Sequence, residues 1–260
     1  GLMFAHATNN LLNDYTDSRR GIDKDNYYRN QYGVHVLEDG LMNERQFWRY
    51  LGVTAGIALL LGGWLISQRS GLTLDLMLAG AFFVLFYTWP LKYYGLGEPA
   101  VLLVWGPLMV GGSYYVLAGQ WSWDVAWLSL VFALGPTTVL FGKHTDKLLA
   151  DKSKGVNTLP VILGERRSRH AVTAMIVAQY LLSIALVAAG SFGWALLLVL
   201  LNLPNLPELF RVYQRPKPAD KPGDYPEEVW PLWFSAHAFR HTRHFTSLFL
   251  LGLALDTLLS

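Results

Sequence analysis

Asn13-Asp14-Tyr15-Thr16-Asp17, followed by Gly21-Ile22-Asp23, sets carboxamides and carboxylates at the end of an apolar run. At such a depth in a bilayer, ionisable groups are costly. Read backwards from Asp17 in helical register, the run continues through Asn13, Asn10, Asn9 and His6. At about 100° per residue these five side chains fall within an arc of about 100°, so one face of the helix is polar. Lipid cannot satisfy that face, which must turn toward a cavity or a partner. Asp14 lies just off it, and Asp23 follows in the loop beyond Gly21. A second acidic stretch, Asp146 to Asp151, holds an equivalent place far along the chain.

Outward from this stretch the composition is that of a membrane protein. Of the 260 residues 52% are hydrophobic and only 15% charged, against about 25% charged in a soluble domain. There is no cysteine, which excludes disulfides, thiolate metal sites and cysteine nucleophiles. A formal net charge of +2 gives no basis for nucleic acid as a partner. Only twelve residues precede Asn13, roughly 18 Å of helix and short of a hydrocarbon core of about 30 Å. The expectation is a single unit over 1–260 that is incomplete at its N-terminus.

Apolar segments at about 47–68, 72–89, 98–118, 122–142, 171–190, 192–210 and 244–259, with a partial one at 1–15, predict eight helices. Long polar loops (16–46, 90–97, 143–170, 211–243) alternate with short ones near 69–71, 119–121 and 190–191. Of 21 Lys and Arg residues, only Arg69 falls with the short loops. The positive-inside rule therefore places the polar loops in the cytoplasm. Pro107, Pro136, Pro204 and Pro207 read as kinks that neighbouring helices tolerate. Gly106, Gly111 and Gly112 read as close helix packing.

Both acidic stretches lie at the cytoplasmic end of a span, four helices apart. Acidic oxygen clusters suit hard divalent cations, and Mg²⁺ is usually held by a few carboxylates together with phosphate oxygens. Arg19, Arg20, Lys24, Arg29, Lys92, Lys143, Lys147, Lys152 and Lys154 surround them. Acids with interleaved bases at a membrane surface are what a diphosphate with its metals requires, although an ordinary solvated loop also accounts for most of the bases.

These residues carry a resemblance. Asn13-Asp14-Tyr15-Thr16-Asp17 with Gly21-Ile22-Asp23 resembles the first Asp-rich motif of the UbiA-type intramembrane prenyltransferases. Asp151-Lys152-Ser153-Lys154-Gly155-Val156-Asn157-Thr158-Leu159-Pro160-Val161-Ile162-Leu163-Gly164 resembles the second. Between them, Tyr87-Thr88-Trp89-Pro90-Leu91-Lys92-Tyr93-Tyr94-Gly95-Leu96-Gly97-Glu98, followed by Gly106-Pro107-Leu108, is similar to the 1,4-dihydroxy-2-naphthoate polyprenyltransferase branch, which makes menaquinone precursors. The resemblance covers the chain from the second of the family's nine helices to the last.

It implies an all-α, polytopic helical bundle with a cytoplasmic cap over a central cavity, in the cell membrane, its active-site loops facing the cytoplasm. It also implies a Mg²⁺-dependent transfer from a polyprenyl diphosphate to an aromatic acceptor. On this reading Asp17, Lys92 and Asp151 are the catalytic candidates. Asn13, Asp14, Asp17, Asp23, Asp146 and Asp151 are the candidate metal ligands. Asn13, Arg29, Lys92, Lys147 and Asn157 are the candidate substrate contacts. A phenol, glycerol phosphate, porphyrin or another lipid stays open as acceptor, and a transporter is the reading from another class, since intramembrane acids also mark ion paths.

The chain departs from the family pattern at one place. Four residues before Asp151, where the family carries an acid, stands Lys147; the nearest acid is Asp146. Five residues apart on a regular helix, Asp146 and Asp151 diverge by about 140°. The expectation is that a π-bulge or a helix end brings Asp146 round to Asp151, facing Asn13 and Asp17. On the alternative, Asp146 turns aside and Lys147 meets the diphosphate. His237, His241 and His244, with Arg240 and Arg243 among them, read as an interfacial helix facing lipid headgroups rather than a metal site.

Overall fold

The computed structural model describes residues 1–22 and 36–259, and among these it contains helices and no strand. Each of the eight apolar segments lies on a helical stretch: α1 (Leu2–Arg19), α2 (Glu44–Gln68), α3 (Leu72–Phe86), α4 (Gly97–Ala118), α5 (Trp123–Asp146), α8 (Glu165–Ala188), α9 (Trp194–Gln214) and α10 (Phe234–Leu259). Two short helices, α6 (Leu148–Ser153) and α7 (Leu159–Leu163), fill the polar connection between α5 and α8. By length and apolarity α2, α4, α5, α8 and α9 are each able to cross a membrane.

The middle of the bundle is α5. Gln179 on α8 donates to the Val131 carbonyl at 3.0 Å, and Thr242 on α10 donates to the Gly135 carbonyl at 3.3 Å. From the other side α4 closes in through Gly106, where a Cβ would lie 3.1 Å from Ala133 Cβ and 3.3 Å from the Ser129 carbonyl. Gly106 is also where α4 loses α geometry, with φ −96° and ψ −109° inside a π-helical stretch, Val104–Gly111. Pro107, which has no N–H to give the ladder, follows directly, so the expected kink is present here. Pro136, in contrast, lies inside the continuous α5. Gly112 meets Leu76 of α3, where an added Cβ would come within 3.3 Å. Small residues thus let α4 lie close to both neighbours.

The bundle has two chemically different ends. At one, Arg69 donates to the Tyr115 carbonyl at 3.4 Å and Ser191 to Asp124 at 2.9 Å. Asp256 there accepts from the Ala195 amide at 3.1 Å. The short loops therefore meet at a common end, as their alternation predicts. The other end carries Asp17, Lys92, Lys147, Asp151 and the polar loops between them.

The polar face of α1 turns toward α3 and the turn that follows it: Asn9 donates to the Val84 carbonyl of α3 at 3.1 Å, and Thr88 donates to Asn13 at 3.2 Å. Thr8, on the opposite side of the helix, donates to Thr54 of α2 at 3.1 Å. His6, Asn9 and Asn10 line a cavity of about 430 Å³ between α1, α3 and α4, whose other walls are apolar and include Phe83, Val104 and Trp105.

Candidate functional site

Lys92 rides on a single 3₁₀ turn, Leu91–Tyr94, that joins α3 to α4. The turn closes on Gly95 at φ 72°, and a Cβ there would reach within 2.5 Å of Ile162 Cδ1 and 3.4 Å of Leu159 Cα. Only glycine combines that left-handed backbone with so close an approach of α7. The turn delivers Lys92 Nζ to Asp17 Oδ2 at 2.6 Å, with the two side chains 6% and 5% exposed. Burial pushes the Lys92 ammonium toward deprotonation, but the carboxylate of Asp17 outweighs it and raises the pKa above the ordinary lysine range; Asp151 adds to the same effect. The first and second acidic motifs are therefore electrostatic neighbours.

The second pair is built on a helix break. α5 ends at Asp146, Lys147 caps it at φ −107° and ψ 19°, and α6 starts at Leu148. Asp151 donates its amide to the Lys147 carbonyl at 2.9 Å and accepts from Val156 at 2.9 Å. Within that turn Lys147 Nζ stands 3.0 Å from Asp151 Oδ1, the side chains 8% and 4% exposed. Asp17 Oδ1 and Asp151 Oδ2 are each buried with no hydrogen-bond partner among the described residues. Leaving a buried acceptor unpaired costs about 1–3 kcal/mol, so two bare anionic oxygens in one region mark a place for a cation. The motifs are also tied by Lys154, which donates to the Ile22 carbonyl at 2.5 Å.

Asp146 does not join this group, and the expectation that it would is corrected. The backbone does leave α geometry before Asp151, yet the carboxylate turns the other way. Oδ1 accepts from the Phe234 amide at 2.9 Å, and Oδ2 from the Ser235 amide at 3.0 Å and the Ser235 hydroxyl at 2.8 Å. It caps α10, whose first N–H groups have no partner within the helix. Gly142, one turn earlier, makes room for this contact: a Cβ there would sit 2.7 Å from the Ser235 nitrogen.

Of the other candidates, Asn13 is half-buried one turn before Asp17 and held by Thr88. Asp14 is half-buried beside it, whereas Asn157 is exposed. Asp23 and Arg29 lie outside the described residues. His241 is buried, not turned to headgroups: its Nε2 is 3.0 Å from the Tyr180 hydroxyl, which also accepts from Asn202 at 3.2 Å. Tyr180 of α8 and Asn202 of α9 cover that face. Among the described residues no three His, Cys, Asp or Glu side chains gather as a ready-made metal cage.

One pair was missed by sequence reasoning. Glu98, 1% exposed, reaches His144 Nδ1 at 2.6 Å and accepts from the Leu159 amide at 3.4 Å. It joins α4, α5 and the start of α7 directly behind the second motif. The signal was an acid opening an apolar span, with a histidine near the end of another.

A model of the UbiA prenyltransferase family matches residues 1–222. The chain is 30% identical over 207 residues to the 2-carboxy-1,4-naphthoquinone phytyltransferase of Synechocystis sp., a match covering 78% of this chain and 65% of that protein. It is 27% identical over 219 residues to UbiA prenyltransferase domain-containing protein 1 of Gallus gallus, covering 82% and 63%. With the 1,4-dihydroxy-2-naphthoate octaprenyltransferase of Escherichia coli the identity is 29% over 202 residues, covering 73% and 64%. The chain thus spans a little under two thirds of the length of these relatives. No solved structure matches.

Proposed function

The chain belongs to the UbiA prenyltransferase family, and on that premise we propose that it moves a prenyl chain from a polyprenyl diphosphate to an aromatic acceptor within the membrane. The observation that carries this reading is the pairing of Asp17 with Lys92 and Asp151 with Lys147; farther back along α1 lies an apolar cavity walled on one side by His6, Asn9 and Asn10. An ion path would favour acids spread through the depth of the bundle; these gather at one end.

Mg²⁺ fits the donors present. Asp17 Oδ1 and Asp151 Oδ2 are bare, hard, anionic oxygens, with the Asn13 carboxamide one turn from the first. So few protein oxygens leave positions for phosphate oxygens, as is usual for this ion. When bound, Mg²⁺ would neutralise the charge that develops on the departing diphosphate. The chain's own part is electrostatic and steric. Lys92 and Lys147 supply fixed ammonium charges in a water-poor region, where such charges stabilise a leaving anion more than in bulk solvent. Phe83, Val104 and Trp105 line the cavity with apolar surface, which houses a prenyl tail and keeps water from the allylic carbon as its C–O bond lengthens.

A naphthoate-type acceptor is our reading of the central motif, and two relatives carry a naphthoquinone or dihydroxynaphthoate in their names. We place the site at the cytoplasmic face of the cell membrane on the distribution of Lys and Arg. The test is incubation of purified protein with Mg²⁺, labelled prenyl diphosphates and a panel of naphthoate, phenol, glycerol phosphate and porphyrin acceptors, with products read by mass. Prenylated dihydroxynaphthoate is the expected product. Transfer only to another acceptor would remove the naphthoate assignment, and no transfer to any would remove the enzyme reading.

A further inference from the structure

The two acidic motifs share an arrangement that no sequence pattern announced. Asp17 commits Oδ2 to an ammonium at 2.6 Å and keeps Oδ1 bare; Asp151 commits Oδ1 to an ammonium at 3.0 Å and keeps Oδ2 bare. All four side chains are at most 8% exposed. A carboxylate buried without a countercharge is strongly unfavourable. In this arrangement the lysines do for these acids what a metal would otherwise do. They are also the cations best placed for diphosphate oxygens, and one Nζ has three donors to distribute.

A divalent ion arriving alone at either bare oxygen would lie next to an ammonium on the same carboxylate, and the two positive charges would repel. If a diphosphate arrives as well, the ammonium gains a stronger anionic partner and the repulsion becomes a shared attraction. Both lysines stand where regular α-helix is interrupted, Lys92 on the 3₁₀ turn and Lys147 at the break between α5 and α6.

We propose that Lys92 and Lys147 are exchangeable caps on Asp17 and Asp151, which pass to the phosphate oxygens when substrate binds, so that these acids take up divalent metal together with a diphosphate and not before it. The inference rests on the diphosphate-binding reading above. No covalent bond changes; two ion pairs exchange partners. By linkage, whatever factor the diphosphate adds to metal affinity the metal adds to diphosphate affinity.

Equilibrium dialysis of the purified full chain tests this, with Mn²⁺ and labelled inorganic pyrophosphate as probes. The wild-type protein is expected to bind Mn²⁺ weakly alone and about tenfold or more tightly with pyrophosphate present, a change read directly from the two dissociation constants. Lys92→Gln and Lys147→Gln should each tighten Mn²⁺ binding in the absence of pyrophosphate and weaken pyrophosphate binding at saturating Mn²⁺. Equal Mn²⁺ affinity of the wild type with and without pyrophosphate would overturn the caps, and that comparison stands even if neither variant folds. Unchanged Mn²⁺ affinity in both folded variants would overturn them too. Failure of the wild type to hold Mn²⁺ and pyrophosphate together in any order is a different result, and it would remove the diphosphate site itself.

Discussion

At the residue scale, the polar face His6, Asn9, Asn10, Asn13, Asp17 was legible because helical periodicity alone fixes which side chains share a side. Their partners were not, because Lys92 is 75 residues from Asp17 in sequence, just as the α10 amides are 88 and 89 from Asp146. A residue type announces that it needs a partner; only the fold says which. On the proposed Mg²⁺ clamp, Asp17→Asn or Asp151→Asn is expected to lower turnover by about 100-fold or more while the protein stays folded, since losing a metal ligand would remove charge stabilisation that acts on the transition state. Chelation should mimic the mutation and added Mg²⁺ should reverse it. Turnover within about twofold of wild type in either variant would remove the clamp, that being far below what a metal ligand supplies. Lys92 also makes a pH prediction. Its folded pKa is raised above the unfolded lysine value of 10.5, so the pair's contribution is complete below that value and fades only as pH rises through the higher folded pKa. A thermal-melting series from pH 6 to pH 9 should show no loss assignable to this pair; a fall that Lys92→Met removes would contradict the assignment.

At the scale of elements, the eight helical stretches were readable from hydropathy and the kink in α4 from Gly106-Pro107. The termini were harder. That α5 stops at Asp146 depends on α10 beginning against it, a contact that local propensity does not encode. Asp146 accordingly has a structural role and should behave unlike Asp151. Asp146→Ala should destabilise the protein by about 1.5–3 kcal/mol, the range for charge-assisted hydrogen bonds, read as a lower melting temperature in detergent. The Mg²⁺ concentration for half-maximal turnover should remain unchanged. A shift of that concentration would return Asp146 to the metal site. Gly106→Val should also be destabilising. Its added atoms would enter a contact already at 3.1 Å from Ala133 Cβ, and overpacking of this kind costs about 1–3 kcal/mol.

For the molecule as a whole, the sidedness of Lys and Arg predicted two unlike ends, and the short loops do gather at one of them. Because the chain has no cysteine, single cysteines can be introduced as topological labels without background. Those at Arg29, Lys154 and Lys217 should react from the cytoplasm and one at Arg69 only from outside; any reversal would break the helix count, since each span inverts the side of every later loop. What hydropathy could not reveal is how unevenly the interior is packed. Among the described residues the continuous hydrophobic core is drawn entirely from Leu128 onward, on α5, α8, α9 and α10. The apolar window of α2 is 6% buried, against 61% for α5. Asp151 therefore stands on the well-packed half and Asp17 on the sparsely packed one. A purification that strips annular lipid should blunt activity well before it moves the main melting transition. For this protein a sharp melt is a poor certificate of a competent sample, and the lipid retained per molecule is the better one.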